Sequence, residues 1–317
     1  MAERRQILIS LNPKAGRRSS ARRAEKLRAL LTARGYRADL LTNLDEVEEK
    51  ADALFRSGEL RALVGVGGDG TAAELVRRTP PGAPIALLPA GTANLLAKEF
   101  RLPFDPARAA AVIDAGRTVT LDAAAADGRL FLIMLTAGID AEIVSQVHRN
   151  REEKYKSGSG DRGHIGYRSY FGPTLRSIRR YPYPPIRVES PERETSGSFD
   201  AVRWAFLFNI PRYGFGAAPV TGSDPQDALL DFCGFRRGGL FPSLFGVVLA
   251  LFGKSHRFFS GYTFEKRAAF RLVPRNLDAR IPYQIDGDPG GILPVDVRIL
   301  PGRLTLLVGK ETAARYT

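Results

Sequence analysis

The hydrophobic positions of residues 1–120 follow two alternating patterns. Short continuous apolar runs are typical of buried strands. Between them lie longer segments in which apolar residues recur every three or four positions, as Leu27, Leu30 and Leu31 do, and this spacing predicts helices. The alternation of strand and helix predicts a parallel sheet covered by helices on both faces. The predicted strands are 6–11, 37–41, 61–66 and 85–88, and the predicted helices are 19–34, 45–55, 72–78, 92–100 and 106–115.

Beyond residue 122 strand-like runs dominate. Several of them alternate apolar and polar residues, which is typical of antiparallel strands with one solvated face. We therefore predict an α/β domain at 1–121 and an all-β domain, a β-sandwich, at 122–300. Helical insertions are predicted at 141–150 and 167–180, and the polar, glycine-rich segment 151–163 is predicted as a loop. The predicted strands are 130–135, 186–189, 201–209, 262–264, 268–273, 295–300 and 304–308.

The chain is strongly basic. Its 317 residues carry a formal net charge of +13, with a sequence pI near 10.1, so its surface should attract polyanions. Anionic lipids are candidates, whereas a specific nucleic-acid partner is not expected, because the sequence contains no recognised nucleic-acid-binding motif. The single cysteine, Cys233, excludes an intramolecular disulfide, and the first residues show no apolar signal-peptide core. These features favour a cytoplasmic protein.

One uncharged stretch, residues 238–253, is a candidate for membrane contact through its apolar part, 240–252. It is interrupted by Pro242 and Gly246 and is shorter than the roughly 20 residues that a membrane-spanning helix needs. Such a segment could instead lie at an anionic membrane surface, because basic residues flank it. A helix of the protein core is an equally good interpretation. The flanking basic residues include Arg236, Arg237 and Lys254.

Three turns that suit phosphate binding follow predicted strands of the first domain. Glycine lets the backbone bend sharply and bring its N–H groups close to an anion, and a helix that starts there adds partial positive charge. Because the carboxyl ends of parallel strands lie at one edge of a sheet, we expect the turns to lie together. Thr92 and Asn94 could equally be ordinary helix-capping residues. The turns are 12–16 (NPKAG), 67–71 (GGDGT) and 88–94 (LPAGTAN).

Asp69 is the unexpected residue of the second turn. A bare carboxylate repels phosphate, so its presence indicates either a bridging Mg2+ or a proton that has to be removed. Both interpretations point to phosphoryl transfer. An ordinary connection between a strand and a helix is the alternative interpretation of residues 64–71.

Taken in order, these motifs resemble a known family. Asn-Pro-x-x-Gly, Gly-Gly-Asp-Gly-Thr and Pro-x-Gly-Thr-x-Asn-x-x-Ala are similar to the lipid kinases that share the diacylglycerol kinase catalytic domain, among them sphingosine kinases and soluble bacterial diacylglycerol kinases. The similarity continues at 121–141, at 227–231 (DALLD) and at 284–288 (QIDGD). The resemblance implies an ATP-binding cleft between the two domains and a return of residues 301–317 to the first domain. The Gly-Gly-Asp-Gly core alone would also suit NAD kinases and phosphofructokinases.

The resemblance assigns ATP contacts to the three turns and to a hydroxyl group that follows the second strand. In isolation that residue, Thr42, would be interpreted as a loop or helix-capping threonine. The implied ATP-binding residues are Asn12, Pro13, Lys14, Ala15, Gly16, Thr42, Gly67, Gly68, Asp69, Gly70, Thr71, Ala72, Ala73, Gly91, Thr92 and Asn94.

Phosphoryl transfer to an alcohol also needs a proton acceptor for the hydroxyl group. The resemblance implies a carboxylate in the segment 286–288, where Asp288 stands in the place of the family's glutamate. Aspartate is one methylene shorter, so its carboxylate reaches less far. Asp286 and Asp69 are competing candidates, and we favour Asp69 as a partner of the metal or the nucleotide. The alternative interpretation of 286–291 (DGDPGG) is a polar hairpin turn.

A structural Mg2+ site is implied at the element 227–231. Asp227 would supply a carboxylate, and Asp224 and Leu229 would supply backbone carbonyl groups, which are oxygen ligands of the kind that hard cations prefer. Ala228 stands where the family has glycine, so the local backbone is expected to differ. The histidines His148, His164 and His256 show no metal-ligand spacing and receive no role.

The hypothesis from the sequence is an ATP- and Mg2+-dependent kinase that phosphorylates the hydroxyl group of diacylglycerol or a related lipid, bound peripherally at the inner face of the membrane. A kinase of the NAD kinase type is a rival, although the β-rich second half disfavours it. A nucleotide-binding regulatory protein without catalysis is the second rival, and the aspartate at position 288 leaves it open. The sequence does not identify the lipid or decide whether two copies form a homodimer.

Overall fold

The structure, a computed structural model, describes residues 5–11, 18–157, 168–191, 199–213, 223–237 and 262–316. The chain forms two compact units, one of Met1–Leu121 with Pro301–Thr317 and one of Asp122–Leu300. The first is an α/β domain and the second is rich in sheet, which confirms the predicted fold class. Within the described ranges, every helix is too short or too polar to cross a bilayer.

The secondary structure begins with β1 (Gln6–Leu11), α1 (Arg18–Thr32), β2 (Arg37–Leu41), α2 (Leu44–Arg56), β3 (Leu60–Gly67), α3 (Asp69–Arg78), β4 (Pro84–Pro89), α4 (Leu95–Glu99) and α5 (Pro106–Ala115). It continues with β5 (Thr118–Ala126), β6 (Arg129–Phe131), β7 (Met134–Gly138), α6 (Ile139–Lys156), α7 (Arg168–Arg180), β8 (Ile186–Glu189), β9 (Phe199–Val202) and β10 (Trp204–Phe208). The last elements are β11 (Leu230–Phe235), β12 (Tyr262–Arg267), β13 (Ala269–Pro274), β14 (Pro282–Ile285), β15 (Asp288–Ile292), β16 (Val295–Leu307) and α8 (Lys310–Tyr316).

A parallel sheet forms the centre of the first unit. Its strands lie in the order β2-β1-β3-β4-β16, and only the end of β16 belongs to this unit. Because helices pack on both faces, the strands are apolar along most of their length, and Ile7, Ile9 and Val64 are almost completely buried. Leu27 and Leu31 of α1 join the same core.

The carboxyl ends of β1, β3 and β4 lie side by side. Leu11 pairs with Val66, and Gly67 pairs with Pro89, so the segments after these strands leave the sheet at one edge. The end of β2 is adjacent, because Leu41 pairs with Ser10. The turns 67–71 and 88–94 therefore share an edge, as predicted, whereas the turn 12–16 lies outside the described residues.

The second unit is built from antiparallel strands. One sheet has the order β12-β11-β10-β7-β14-β15, and β13 pairs with β8 and with the start of β16 in a second set. Side chains from both sets share one apolar core, in which Phe131, Phe232 and Phe270 are buried. Helix α6 packs against β14 and β15 and so lies next to the hairpin that joins these two strands.

Several predicted boundaries are wrong. The predicted loop 151–163 begins as helix, because α6 continues to Lys156; these turns are mostly exposed, so their sequence carries no apolar repeat. The predicted strand 130–135 is divided into β6 and β7, since the N–H groups of Leu132 and Ile133 bind a side chain instead of a strand. The predicted strand 201–209 is likewise divided into β9 and β10. The predicted strands 295–300 and 304–308 form one continuous strand, β16. The predicted helix 92–100 is shorter than expected, because only α4, Leu95–Glu99, is helical.

Candidate active site

The turns after β3 and β4 touch each other through two glycines. A Cβ atom added at Gly91 would lie 2.6 Å from the Cα atom of Gly68, and one added at Gly68 would lie 3.1 Å from the Cα atom of Gly91. The first distance leaves no room for a side chain, and the second would require the backbone of Gly91 to shift by a few tenths of an ångström, because carbon atoms attract best at about 3.5–4.0 Å. The N–H group of Ala90 also donates to the carbonyl group of Gly67 at 2.8 Å. The two turns therefore form one structure that needs glycine at position 91 and leaves little space at position 68.

Asn94 fixes the shape of the third turn. Its side-chain oxygen accepts a hydrogen bond from the N–H group of Gly91 at 3.0 Å, and its amide group donates to the carbonyl group of Gly91 at 2.8 Å. Its backbone is left-handed, with φ 48° and ψ 49°, a conformation that asparagine tolerates better than most residues. Asn94 precedes α4, but its side chain closes the turn and does not cap this helix.

Asp69 caps α4 from the second turn. Its Oδ2 atom accepts a hydrogen bond from the N–H group of Leu95, and its Oδ1 atom accepts one from the N–H group of Leu96, both at 3.0 Å. Burial raises the pKa of Asp69, and the two backbone donors oppose that shift. The carboxylate therefore links the second turn to the third. A metal ion or a nucleotide would have to bind Asp69 through the oxygen lone pairs that these two hydrogen bonds leave unused.

The other predicted ATP-binding residues differ in exposure. Gly70 and Thr42 are exposed at the carboxyl edge of the sheet, and Thr71, Ala73 and Thr92 are partly buried. Ala72 of α3 is only 1% exposed, so its side chain offers ATP almost no surface, and its predicted ATP contact stays a prediction. The predicted residues Asn12, Pro13, Lys14, Ala15 and Gly16 lie outside the described residues.

The connection between β14 and β15 is a tight hairpin turn. Asp286 and Gly287 both have positive φ, 51° and 90°, as a two-residue turn of type I′ requires. Ile285 pairs with Asp288 across this turn. The segment therefore forms a hairpin turn, as the alternative interpretation predicts. Asp286 lies within the turn, whereas Asp288 is the first residue of β15.

Asp286 anchors the hairpin to the break between β6 and β7. Its carboxylate accepts hydrogen bonds from the N–H groups of Leu132 at 2.8 Å, Ile133 at 2.9 Å and Met134 at 3.0 Å. Its own N–H group donates to the carbonyl group of Met134 at 3.0 Å. These backbone donors would be left without a partner if the carboxylate moved, so Asp286 is held in place.

Asp288 faces outward beside a partly buried histidine. Its side chain is 55% exposed, and its Oδ1 atom lies 3.6 Å from Nε2 of His148, whose side chain is 16% exposed. His148 also borders a cavity of about 560 Å3, as do Pro289 of β15 and Arg280. Sequence reasoning missed His148, because it lies far from the hairpin along the chain and belongs to no recognisable motif.

Burial lowers the pKa of His148, whereas the charge of Asp288 opposes that shift. The lowered pKa gives stability that is present above the unfolded value near 6.5 and is lost as the pH falls through the folded value. We therefore expect the free energy of unfolding to fall more between about pH 7.5 and about pH 5.5 in the wild type than in His148→Gln. Urea unfolding at both pH values measures this, and an equal fall in both proteins would contradict the prediction.

A buried polar network supports the hairpin. The side-chain oxygen of Gln284 accepts the N–H group of Gly287 at 2.7 Å, and its amide group donates to Thr136 Oγ1 at 3.0 Å. The Thr136 hydroxyl group donates to Asp140 at 2.5 Å, and the hydroxyl group of Tyr213 donates to the same carboxylate. Burial raises the pKa of Asp140, and these donors oppose the shift. The network fixes the turn that carries Asp288.

The carboxylate predicted to bind a structural Mg2+ already has protein partners. Asp227 Oδ2 lies 2.8 Å from Nζ of Lys266, and Asp227 Oδ1 accepts the N–H group of Leu229 at 3.0 Å. The Asp224 carboxylate accepts the N–H group of Gln226 at 3.0 Å. The carboxylate named for Mg2+ is thus paired with an ammonium group in this structure, whereas ligation by the backbone carbonyl groups of Asp224 and Leu229 stays a prediction.

Comparisons with known proteins agree with the motifs. Residues 6–126 match the family model described as the diacylglycerol kinase catalytic domain. A Pseudomonas aeruginosa (strain UCBPP-PA14) protein named "Probable lipid kinase YegS-like" is 35% identical over 188 residues, which are 58% of this chain and 56% of that protein. A Pseudomonas putida protein of the same name is 39% identical over 97 residues, 30% of this chain and 31% of that protein. The chain thus spans about half the length of the first curated relatives it matches.

The fold itself is shared with solved structures. A crystal structure from Bacillus anthracis str. Sterne, titled "putative diacylglycerol kinase", aligns with a TM-score of 0.71 at 18% identity and covers 98% of this chain and 99% of that one. Another from the same strain, titled as a diacylglycerol kinase, gives a TM-score of 0.67 at 16% identity, with 97% and 98% coverage. Together with the family match, these comparisons confirm the resemblance to lipid kinases with this catalytic domain.

Proposed function

We propose that this protein is an ATP-dependent lipid kinase that transfers the γ-phosphate of ATP to a lipid hydroxyl group. The observation that carries the proposal is the contact between Gly68 and Gly91, which joins two glycine-rich turns at the carboxyl edge of a parallel sheet. Open α/β sheets bind their ligands at this edge. Both turns lie within the residues that match the diacylglycerol kinase catalytic domain.

The triphosphate is proposed to bind at the second turn and the start of α3. Gly70 is exposed there, and the first N–H groups of a helix have no carbonyl partner within that helix. These N–H groups and the helix dipole favour an anion. Residues 12–16 and Thr42 follow strands that end at the same edge and would add contacts. Mg2+ would arrive with ATP and neutralise charge on the transferred phosphoryl group.

Asp288 is the proposed proton acceptor for the lipid hydroxyl group. Asp286 already accepts three backbone N–H groups, whereas the side chain of Asp288 is half exposed and can approach a substrate. A general base has to come within hydrogen-bond reach of the proton that it removes. We therefore propose that Asp288 is the general base and that Asp286 and Gln284 position the turn that carries it. Asp69 holds the third turn in place.

The proposed acceptor is diacylglycerol or a related lipid with one free hydroxyl group. The names of the Pseudomonas relatives, which are given as lipid kinases, support a lipid as the acceptor class. The net charge of +13 supports binding at an anionic membrane surface, and we place the protein at the cytoplasmic face. Arg236 and Arg237, which precede the uncharged stretch 238–253, are exposed and would face that surface.

The membrane proposal predicts a charge-dependent loss of vesicle binding. Replacing Arg236, Arg237 and Lys254 by glutamine should weaken binding by at least about tenfold, because each basic residue near an anionic surface is worth about 1 kcal/mol. Co-sedimentation with phosphatidylcholine vesicles, with and without phosphatidylglycerol, measures this. The matched control replaces the exposed residues Arg34, Arg56 and Arg101, which changes the net charge equally. Equal binding of both variants would contradict a specific role for the first cluster.

A transfer assay tests the proposed function directly. The protein is incubated with γ-labelled ATP and Mg2+ together with diacylglycerol in mixed vesicles, with other lipids that carry a free hydroxyl group, with NAD, or without acceptor. Label that appears in a lipid supports the proposal and identifies the lipid. Label in NAD would establish the small-molecule kinase alternative. ATP that binds but transfers its label to no acceptor would favour a regulatory protein without catalysis.

A further inference from the structure

Lys266 lies where two carboxylates of the Asp227–Asp231 element meet. It stands on β12 directly opposite Asp231 of β11 in the antiparallel pairing. Its Nζ atom lies 2.8 Å from Asp227 Oδ2 and 3.2 Å from Asp231 Oδ1. The strand register therefore brings one ammonium group to both acidic side chains, which come from the turn before β11 and from β11 itself.

The backbone of the same turn is closed by protein groups. The N–H group of Ala228 donates to Asp122 Oδ2 at 2.8 Å, and the N–H group of Leu229 donates to Asp227 Oδ1 at 3.0 Å. Ala228 has a φ of 57°, in the left-handed region that normally favours glycine, so an alanine is held there in a strained conformation. Hydrogen bonds to the carboxylates of Asp122 and Asp227 thus hold the turn in its tight shape. Asp122 is buried, and Asp227 lies beside Lys266.

We propose that the ammonium group of Lys266 is the resident cation of this element and replaces a divalent ion there. A protonated lysine supplies one positive charge and several hydrogen-bond donors: here it donates to Asp227 Oδ2 and lies within ion-pair distance of Asp231 Oδ1. The side chain of Lys266 is only 29% exposed, and its head group lies within 3.2 Å of a carboxylate oxygen of both acids. The element then needs no Mg2+ to keep its shape.

The charge of Lys266 matters because Asp231 is buried. The side chain of Asp231 is only 4% exposed, and burial raises its pKa, with Lys266 opposing the shift. A buried carboxylate without a counter-charge is strongly unfavourable. Removal of the ammonium group would leave Asp227 and Asp231 facing each other, and such a pair of oxygen ligands is what a hard divalent cation prefers. The lysine and the ion are therefore alternatives for one position.

Thermal unfolding without nucleotide tests this proposal and does not depend on kinase activity. The wild type is expected to show the same midpoint in EDTA, in excess Mg2+ and in excess Ca2+. Lys266→Ala should lower the midpoint in EDTA by about 5 °C or more. Mg2+ or Ca2+ should restore much of that loss, because an ion that binds only the folded state raises its stability. Lys266→Arg, which keeps the charge, should resemble the wild type.

Lys50→Ala is the matched control, because Lys50 forms an ordinary exposed ion pair with Glu46 along one helix. Such pairs are worth little, so its midpoint should stay near that of the wild type and should not respond to divalent ions. If Lys266→Ala does not fold, Lys266→Gln combined with Asp227→Asn and Asp231→Asn removes all three charges and should fold without responding to Mg2+. A wild-type midpoint that falls in EDTA and recovers in Mg2+ would overturn the proposal, as would a destabilised Lys266→Ala that no divalent ion stabilises.

Discussion

Replacement of Asp288 by asparagine is expected to reduce turnover by about 10²- to 10⁴-fold, the usual contribution of a general base. Asparagine has nearly the same shape but cannot accept the proton of a lipid hydroxyl group at neutral pH. ATP affinity should remain unchanged, because the nucleotide is proposed to bind at the turns of the first unit. Turnover at saturating ATP and lipid, together with the Kd of ATP measured by calorimetry, checks both parts.

Two further variants separate a chemical role from a structural one. Asp278→Asn changes an exposed carboxylate on the neighbouring connection between β13 and β14 and should keep full turnover. Asp288→Glu introduces the residue that the family resemblance implies at this position and should retain activity. Because the side chain of Asp288 is 55% exposed, the unfolding midpoint of Asp288→Asn should match that of the wild type. Near-normal turnover of Asp288→Asn would remove this residue from the mechanism.

Replacement of Gly91 by alanine is expected to separate the two glycine-rich turns. The new methyl group would lie 2.6 Å from the Cα atom of Gly68 and 3.0 Å from the side-chain oxygen of Asn94, so the backbone of one turn must move. Overpacking of this kind costs about 1–3 kcal/mol of stability. Because the turns are the proposed phosphate site, ATP affinity should fall by about tenfold or more, since a misplaced binding group loses much of its contribution. Urea unfolding and ATP calorimetry measure the two effects.

Gly309→Ala provides the control for this variant within the same unit. No atom lies within 4 Å of a Cβ atom built at Gly309, so the added methyl group meets open space. Its ATP affinity should equal that of the wild type. If Gly91→Ala bound ATP normally while losing stability, the contact between the turns would be structural and the triphosphate would have to bind elsewhere.

Local patterns were sufficient for the strands β1 to β4 of the first unit. A buried strand followed by glycines and a helix is visible within a dozen residues, and parallel strands place such turns at one edge, so β3, β4 and their turns follow from the sequence. The sequence also shows which residues allow a tight turn, such as the glycines at positions 67 and 68. What a pattern cannot show is which partner a side chain selects. Asp69 was predicted to serve a metal or nucleotide, and it bonds the N–H groups of Leu95 and Leu96.

The features that escaped sequence reasoning depend on contacts between distant segments. His148 reaches Asp288 only because α6 packs on β14 and β15, and no spacing along the chain announces that packing. Lys266 meets Asp227 and Asp231 through the register of two strands, which is fixed by the whole sheet. The end of α6 was missed for a different reason, because exposed helical turns such as 151–156 need no apolar residues and carry no periodic signal.

The long strand β16 has a consequence for how the protein is made. Its final residues, Thr305 and Leu306, pair with Pro84 and Ile85, so the parallel sheet of the first unit takes its last strand from the far end of the chain. During synthesis the edge of β4 has no covering strand until that segment leaves the ribosome, and an open strand edge invites pairing with other chains. The first unit therefore begins to form first and is completed last. A gene fragment that stops at residue 121 would yield an unfinished sheet prone to aggregation.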